Sequence, residues 1–293
     1  MASRPKFIPF GGPDIQHPDL ESAGIVVLPL CYEQAPSYGP GSGDGPYHLT
    51  AASEQLEQFD EEALVDWGAL PIHTLPPMHF HDPPEKCVMK MKSAAKDVLV
   101  NKKFLLSLGG DHAISIGPML AASEIWPEIG VLQVDAHLDL RHEWNDSRYN
   151  HACVMRRVLE AGIHPLVQVA TRAVSKEEHE VVTAHGLKPF YAHQIDPADY
   201  SWINEVLDAL PEKIYLTVDL DGLDPSEMPG TGTPEPGGLS YRQLVRLLQA
   251  VGRKKHVVAA DVNELAKIEG SQVSETMAAR VAEKIIVYCS GVA

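Results

Sequence analysis

The sequence predicts an α/β fold built on a mainly parallel sheet with helices on both faces. Short, near-continuous apolar runs recur along the chain, and helix-like stretches separate them. Strands buried on both faces read as such runs, and parallel neighbours need a long crossover, usually a helix. A further observation agrees: four of the runs end in acidic or histidine-bearing clusters. Open parallel sheets bind ligands just beyond the carboxyl ends of their strands.

Taken in order, residues 1–22 are rich in Pro, Gly and Asp and read as an N-terminal extended arm; 23–293 then form a single domain, with no composition break or internal repeat. The run 23–30 is the first buried strand. Tyr38 to Pro46 is a Gly-rich loop before a helix from about Leu49. It lacks a Gly-Lys-Ser/Thr ending, and Pro40 and Pro46 remove two backbone donors, so a nucleotide role is not expected. Residues 71–84 carry His73, His79 and His81 among five prolines and read as a solvent-facing connector rather than a metal site. A helix follows over 85–100, then a strand at 104–108 and a helix after Asp111. Strands at 129–134, 166–170, 213–218 and 256–262 alternate with helices from about 151, near 175–185, at 201–209, at 240–253 and from Ser274 to Tyr288.

With 293 residues, 44% of them hydrophobic, the chain can bury a large core. A net charge of −16 argues against nucleic acid and anionic membrane surfaces and favours small cationic ligands. Cys31, Cys87, Cys153 and Cys289 are far apart, which leaves no basis for a disulfide framework or a cysteine zinc site. No run approaches the ~20 apolar residues of a membrane span, and the start lacks a signal-peptide core. The expected location is soluble and cytoplasmic.

The strand endings carry the chemistry. Strand 104–108 runs into Gly109-Gly110-Asp111-His112, and 129–134 into Asp135-Ala136-His137-Leu138-Asp139. The run 214–218 leads into Asp219-Leu220-Asp221-Gly222-Leu223-Asp224-Pro225, and 256–260 into Asp261-Val262-Asn263-Glu264. If Asp135, His137 and Asp139 continue the extended chain, they line one side of it at a repeat of about 7 Å. So many carboxylates at one sheet edge cannot all stay ionised without cations, and metal binding resolves the conflict. Carboxylates with two imidazoles and no thiolate suit manganese, with cobalt, nickel, iron and zinc remaining compatible. Six donors exceed a single tetrahedral zinc with an open position and match two ions sharing carboxylates and a bridging water, which becomes a usable hydroxide near neutral pH.

Together with Pro229 to Gly238 (Pro-Gly-Thr-Gly-Thr-Pro-Glu-Pro-Gly-Gly), these motifs resemble the ureohydrolases: arginase, agmatinase and relatives. The resemblance implies a three-layer α/β/α sandwich with an eight-stranded, mainly parallel sheet and two manganese ions per chain. It implies hydrolysis of a small cationic guanidino substrate to urea and an amine, in a homotrimer or homohexamer. By the same resemblance His112, Asp135, Asp139 and Asp219 hold one metal. His137 and Asp221 hold the other, with Asp135 and Asp219 shared. Glu264 matches the glutamate that grips the guanidinium, although Lys267 stands where a proline is usual and Asp261 competes if the register slips. His151 matches a proton-relay histidine, with His142 as a competitor. Asp111 and Asp224 read as supporting or turn residues.

Leu138 to Arg141 with Glu143-Trp144, and the Pro229–Gly238 stretch, look more like agmatinases than arginases, so agmatine, hydrolysed to putrescine and urea, is the expected substrate. Glu143 and Asp146 could attract a free amine; Arg141 and Arg148 could pair with a carboxylate, as guanidinobutyrate requires. Arginase, guanidinobutyrase and guanidine hydrolase activities are alternatives on the same site. A single-zinc deacetylase or a non-catalytic relative acting as a binding subunit are the alternatives from other classes.

Overall fold

The computed structural model describes residues 4–292. Its strands are β1 (Ile25–Cys31), β2 (Phe59–Asp60), β3 (Val65–Asp66), β4 (Ile72–Thr74), β5 (Met78–His79), β6 (Phe104–Gly109), β7 (Gly130–Val134), β8 (Leu166–Thr171), β9 (Phe190–Tyr191), β10 (Lys213–Asp219) and β11 (His256–Asn263). Its α-helices are α1 (Gly45–Ser53), α2 (Pro84–Leu99), α3 (Ile116–Ile125), α4 (Val154–Glu160), α5 (Lys176–His185), α6 (Trp202–Ala209), α7 (Tyr241–Lys254) and α8 (Val273–Cys289).

Eight parallel strands follow the order β4-β1-β6-β11-β10-β7-β8-β9, and β5 adds a short parallel pairing to β1. β2 and β3 form a separate two-stranded hairpin. The sheet carries a hydrophobic layer on each face, and β1 shows how the sequence builds both. Ile25 and Val27 join one layer with Leu49, Leu248 and Ile285, whereas Val26 and Leu28 join the other with Met91, Met119 and Met155. The period-2 alternation therefore finds apolar partners on either side. α1, α6, α7 and α8 cover the first face; α2 to α5 cover the second. Leu248 is fully buried, and truncating such a leucine to alanine costs about 2–5 kcal/mol. Capping boxes at Ser175–Glu178 and Ser240–Gln243 start α5 and α7, each cap contributing about 1 kcal/mol.

Two stretches differ from the sequence reading. Within the expected arm, Phe10 and Ile15 are core residues, and Phe10 packs on Trp67 at a ring separation of 5.9 Å. The arm's few apolar side chains tie it to the body. The supposed connector 71–84 contributes β4 and β5, which pair with β1 and close that edge of the sheet. Ile72 is fully buried there. His73 is held by the Pro18 carbonyl and His79 by the Tyr47 hydroxyl, so neither ring is a free surface group.

Candidate metal centre and active site

Parallel strands in the middle of the sheet all end at the same edge. β6, β11, β10 and β7 are consecutive neighbours in the sheet, so the four polar endings meet. β6 gives way to Gly110, where an added Cβ would overlap the Tyr32 carbonyl. Only glycine allows this approach. The adjoining amides are fixed on β1 through Gly110 N to Leu30 O at 3.1 Å and Asp111 N to Tyr32 O at 2.8 Å. Asp111 accepts from the Ala113 amide at 3.1 Å and from the Gln34 amide at 2.7 Å. It is a turn residue that aims the next one, His112.

His112 Nδ1 lies 3.1 Å from Asp135 Oδ2, 3.0 Å from Asp139 Oδ2 and 3.4 Å from Asp219 Oδ2. His137 Nδ1 lies 3.0 Å from Asp221 Oδ2 and 3.5 Å from Asp135 Oδ1. Two donor triads result, His112/Asp135/Asp219 and Asp135/His137/Asp221, with Asp135 common to both. The six expected ligands therefore converge, although not as an extended strand would place them. β7 stops at Val134, and Asp139 takes φ 53°, which turns its carboxylate back onto His112. Such backbone costs on the order of 1–3 kcal/mol and persists where the surroundings enforce it. Glu264, at φ 67°, has the same conformation at the end of β11.

The electrostatics are those of a site built for cations. Burial and the charges of Asp221 and Asp135 push the Asp219 carboxyl well above the usual carboxylate range. Burial and Asp135 push Asp139 up to about 7. Burial and then Asp219 and Asp111 raise Glu264 well above its ordinary value. Burial opposes a charge on His112, yet its contacts with Asp135, Asp139 and Asp219 outweigh that and raise its pKa. His112 Nδ1 is nonetheless a buried atom without a hydrogen-bond partner, aimed at three carboxylates. That orphaned nitrogen, with an oxygen-rich donor set and no thiolate, fits hard divalent ions at two adjacent positions that share Asp135.

Residues behind the donors hold them in register, and the motif reading missed these. Thr217 Oγ1 donates to Asp261 Oδ1 at 2.6 Å, so it accepts from His112 Nε2 at 2.8 Å. This fixes the proton on Nε2 and leaves Nδ1 as the free ligand atom. Asp261 also receives the Tyr215 hydroxyl and the Asn263 amide, each at 2.6 Å. Asp261 is thus internal, whereas Glu264 lines the cavity. Gln168 donates to Gln133 at 2.6 Å, and Gln133 donates to Asp135 Oδ2 at 2.6 Å. Arg172 donates to the carbonyls of Asp221, Leu223 and Glu235, bracing the loop after β10. Thr217, Gln133 and Gln168 are polar interruptions in otherwise apolar strands, and that was the signal available.

The donor cluster floors a cavity of about 340 Å³ that Glu264, His151, Ser37, Arg141 and Trp144 also line. Glu264 Oε1 accepts the His112 amide at 2.8 Å. His151 Nε2 is 2.8 Å from Ser37 Oγ. Burial and the charges of His137 and His112 hold its pKa down to about 4, so the ring is neutral at pH 7. His142, its competitor, lies outside the cavity beside Glu160 at 3.7 Å. Arg148 also pairs with Glu160, at 2.8 Å, and Glu143 and Asp146 do not line the cavity. Asp224 is a turn residue accepting from Ser226, Gly237 and Gly238. Lys267 pairs with Glu275 at 2.8 Å, away from the cavity.

A parallel α/β sheet whose central strands deliver this donor set, with a glutamate and a neutral histidine above it, defines a metal-dependent ureohydrolase. The chain belongs to the Arginase family, whose profile matches residues 23–288. It is 38% identical over 281 residues to the N(1)-aminopropylagmatine ureohydrolase of Synechocystis sp., covering 91% of this chain and 89% of that protein. It is 40% identical to the enzyme of the same name from Thermus thermophilus, covering 84% of this chain and 83% of that one. Among solved structures, the agmatine ureohydrolase of Thermoplasma volcanium superposes with a TM-score of 0.85 at 28% identity, covering 92% of this chain and 91% of that one. Among the described residues no helix is long and apolar enough to cross a membrane.

Proposed function

We propose that the protein hydrolyses the guanidino group of an agmatine-type amine to urea, using two divalent metal ions held by His112, Asp135, Asp139, Asp219, Asp221 and His137. The observation that carries this reading is the pair of donor triads sharing Asp135 at the floor of a cavity that Glu264 and His151 also line. When bound, such an ion pair supplies a hydroxide nucleophile near neutral pH. The chain's own residues do the rest. Glu264 accepts the planar guanidinium through its carboxylate, which its backbone conformation and the His112 amide hold in place. His151, whose ring is neutral, would take up the proton that the attacking water gives up and pass it to the departing amine nitrogen as the C–N bond breaks, with Ser37 Oγ steadying Nε2.

Agmatine, giving putrescine, is the substrate that the loop after Asp139 points to. N(1)-aminopropylagmatine, which would give spermidine by the same cleavage, is a second reading favoured by the relatives at 38% and 40% identity. Arg141 in the cavity wall favours a third, an anionic-tailed substrate such as guanidinobutyrate. Manganese as the native metal, assembly as a homotrimer or homohexamer, and a cytoplasmic location complete the proposal, all three by likeness to the family. The test is urea release by manganese-loaded protein from agmatine, N(1)-aminopropylagmatine, arginine and guanidinobutyrate side by side. Release from the first two, lost in Asp219→Ala, is expected. Preference for arginine or guanidinobutyrate overturns the substrate assignment, and no urea from any of them overturns the reaction.

A further inference from the structure

Part of the cavity wall outside the donor cluster is aromatic and apolar. Trp144, in the loop after Asp139, lines the cavity, as do Ala152, Ala173 and Val174. Val174 is 40% exposed and marks the opening, whereas the donor carboxylates are buried. Outside the donor cluster, Glu178 joins Glu264 as a lining carboxylate among the described residues. Its oxygens are already taken, by the Leu140 amide at 3.2 Å, the Ser175 amide at 2.9 Å and the Ser175 hydroxyl at 2.7 Å. A cationic tail therefore finds no uncommitted carboxylate here. It finds the indole.

Trp144 is held from its edge. Its Nε1 donates to Ser37 Oγ at 3.2 Å, and the next residue, Asn145, donates to the Ala35 carbonyl at 3.3 Å. The ring face already takes a cation: the Arg141 guanidinium lies 4.4 Å from the ring centroid. Among the described residues Arg141's one carboxylate partner is Glu177, at 3.9 Å, so leaving the ring forfeits no close ion pair.

We infer that Trp144 is a specificity-determining residue whose ring face receives an ammonium group of the substrate's tail, with Arg141 as the internal cation that competes for the same face. The inference rests on the guanidino-hydrolase reading and names what selects the tail. By this inference a wall with no uncommitted carboxylate can still select polyamine tails, in which methylenes and ammonium groups alternate, because aromatic rings take both. Arg141 sets a threshold, since a neutral or anionic tail cannot displace it from the indole.

The experiment compares kcat/KM for butylguanidine, agmatine and N(1)-aminopropylagmatine in wild type, Trp144→Leu, Trp144→Phe and Arg141→Gln. The readout is the ratio of each cationic-tail substrate to butylguanidine. Trp144→Leu is expected to lower that ratio about tenfold, the scale of a partly desolvated cation–π contact, mainly through KM rather than kcat. Trp144→Phe restores most of it, and Arg141→Gln raises it. A ratio within twofold of wild type in Trp144→Leu overturns the inference while leaving guanidino hydrolysis in place. So does an Arg141→Gln variant that loses activity on guanidinobutyrate while its ratio stays unchanged. Absence of urea from every substrate in wild type overturns the underlying reaction and this inference with it.

Discussion

Replacing Thr217 by valine removes one hydroxyl and keeps the side-chain shape. Thr217 is fully buried on β10, between His112 Nε2 at 2.8 Å and Asp261 Oδ1 at 2.6 Å. The hydroxyl accepts from the imidazole and donates its own hydrogen bond to the carboxylate. Valine leaves the His112 N–H without an acceptor and frees the ring to rotate or to move its proton to Nδ1, the nitrogen that has to bind metal. Asp261 keeps the Tyr215 and Asn263 donors, so the damage stays on the histidine. Loss of such an outer partner lowers metal affinity by about 10- to 100-fold, which corresponds to about 1.4–2.8 kcal/mol. The stranded buried donor adds about 1–3 kcal/mol of destabilisation to the metal-free protein. Chelator-competition titration of Mn²⁺ measures the first effect and thermal unfolding of the chelated protein the second. Thr217→Ser, which keeps the hydroxyl, should restore affinity. A valine variant binding Mn²⁺ within twofold of wild type would refute the argument that Thr217 orients the imidazole.

Asp219→Asn should cost more activity than the about hundredfold that losing an outer partner costs, checked by urea release at saturating Mn²⁺. Glu264→Gln keeps the side-chain size but gives up the bidentate charged grip, and kcat/KM should fall on the order of a hundredfold. Chelation should lower the Tm because Asp135, Asp139, Asp219 and Asp221 then repel one another. Restoring metal at 100 times its Kd contributes about 2.7 kcal/mol, a rise of several degrees by calorimetry. Away from the site, burial first, and then its neighbour Asp60, push Glu283 from 4.5 up to about 8. The folded state then holds a proton that the unfolded state releases, so this group's contribution to stability falls as pH rises from about 4.5 to 8. Glu283→Gln should therefore gain stability relative to wild type over that window, read as the difference between their denaturation midpoints across pH. A constant difference would show that Glu283 does not titrate there.

The fold was legible where burial imposes a pattern. The six long strands are apolar runs, and β10 and β11 fall at Lys213–Asp219 and His256–Asn263, against readings of 213–218 and 256–262. Helices with strong caps were equally plain: Ser240 opens α7 through its capping box. What escaped notice was short. β4, β5 and β9 have two or three residues each, too few for any period, and they form only because β1 and β8 offer an unpaired edge. The extended reading of Asp135–Asp139 failed because local alternation carries no sign of the positive φ at Asp139, which surrounding contacts impose. At the site, charged groups at strand ends announced themselves. Thr217, Gln133 and Gln168 did not, since a polar residue inside a strand gains its meaning from the neighbouring strand. Cavity walls were least legible: Arg141 and Arg148 look alike in sequence, yet Arg141 stacks on Trp144 while Arg148 pairs with Glu160.

The most direct test of the central claim is to titrate Mn²⁺ into metal-free protein while following urea release from agmatine and N(1)-aminopropylagmatine. Two donor triads sharing Asp135 predict that activity develops as the second equivalent per chain binds and saturates at two. Full activity at one equivalent, or urea release that persists with no metal bound, would contradict it.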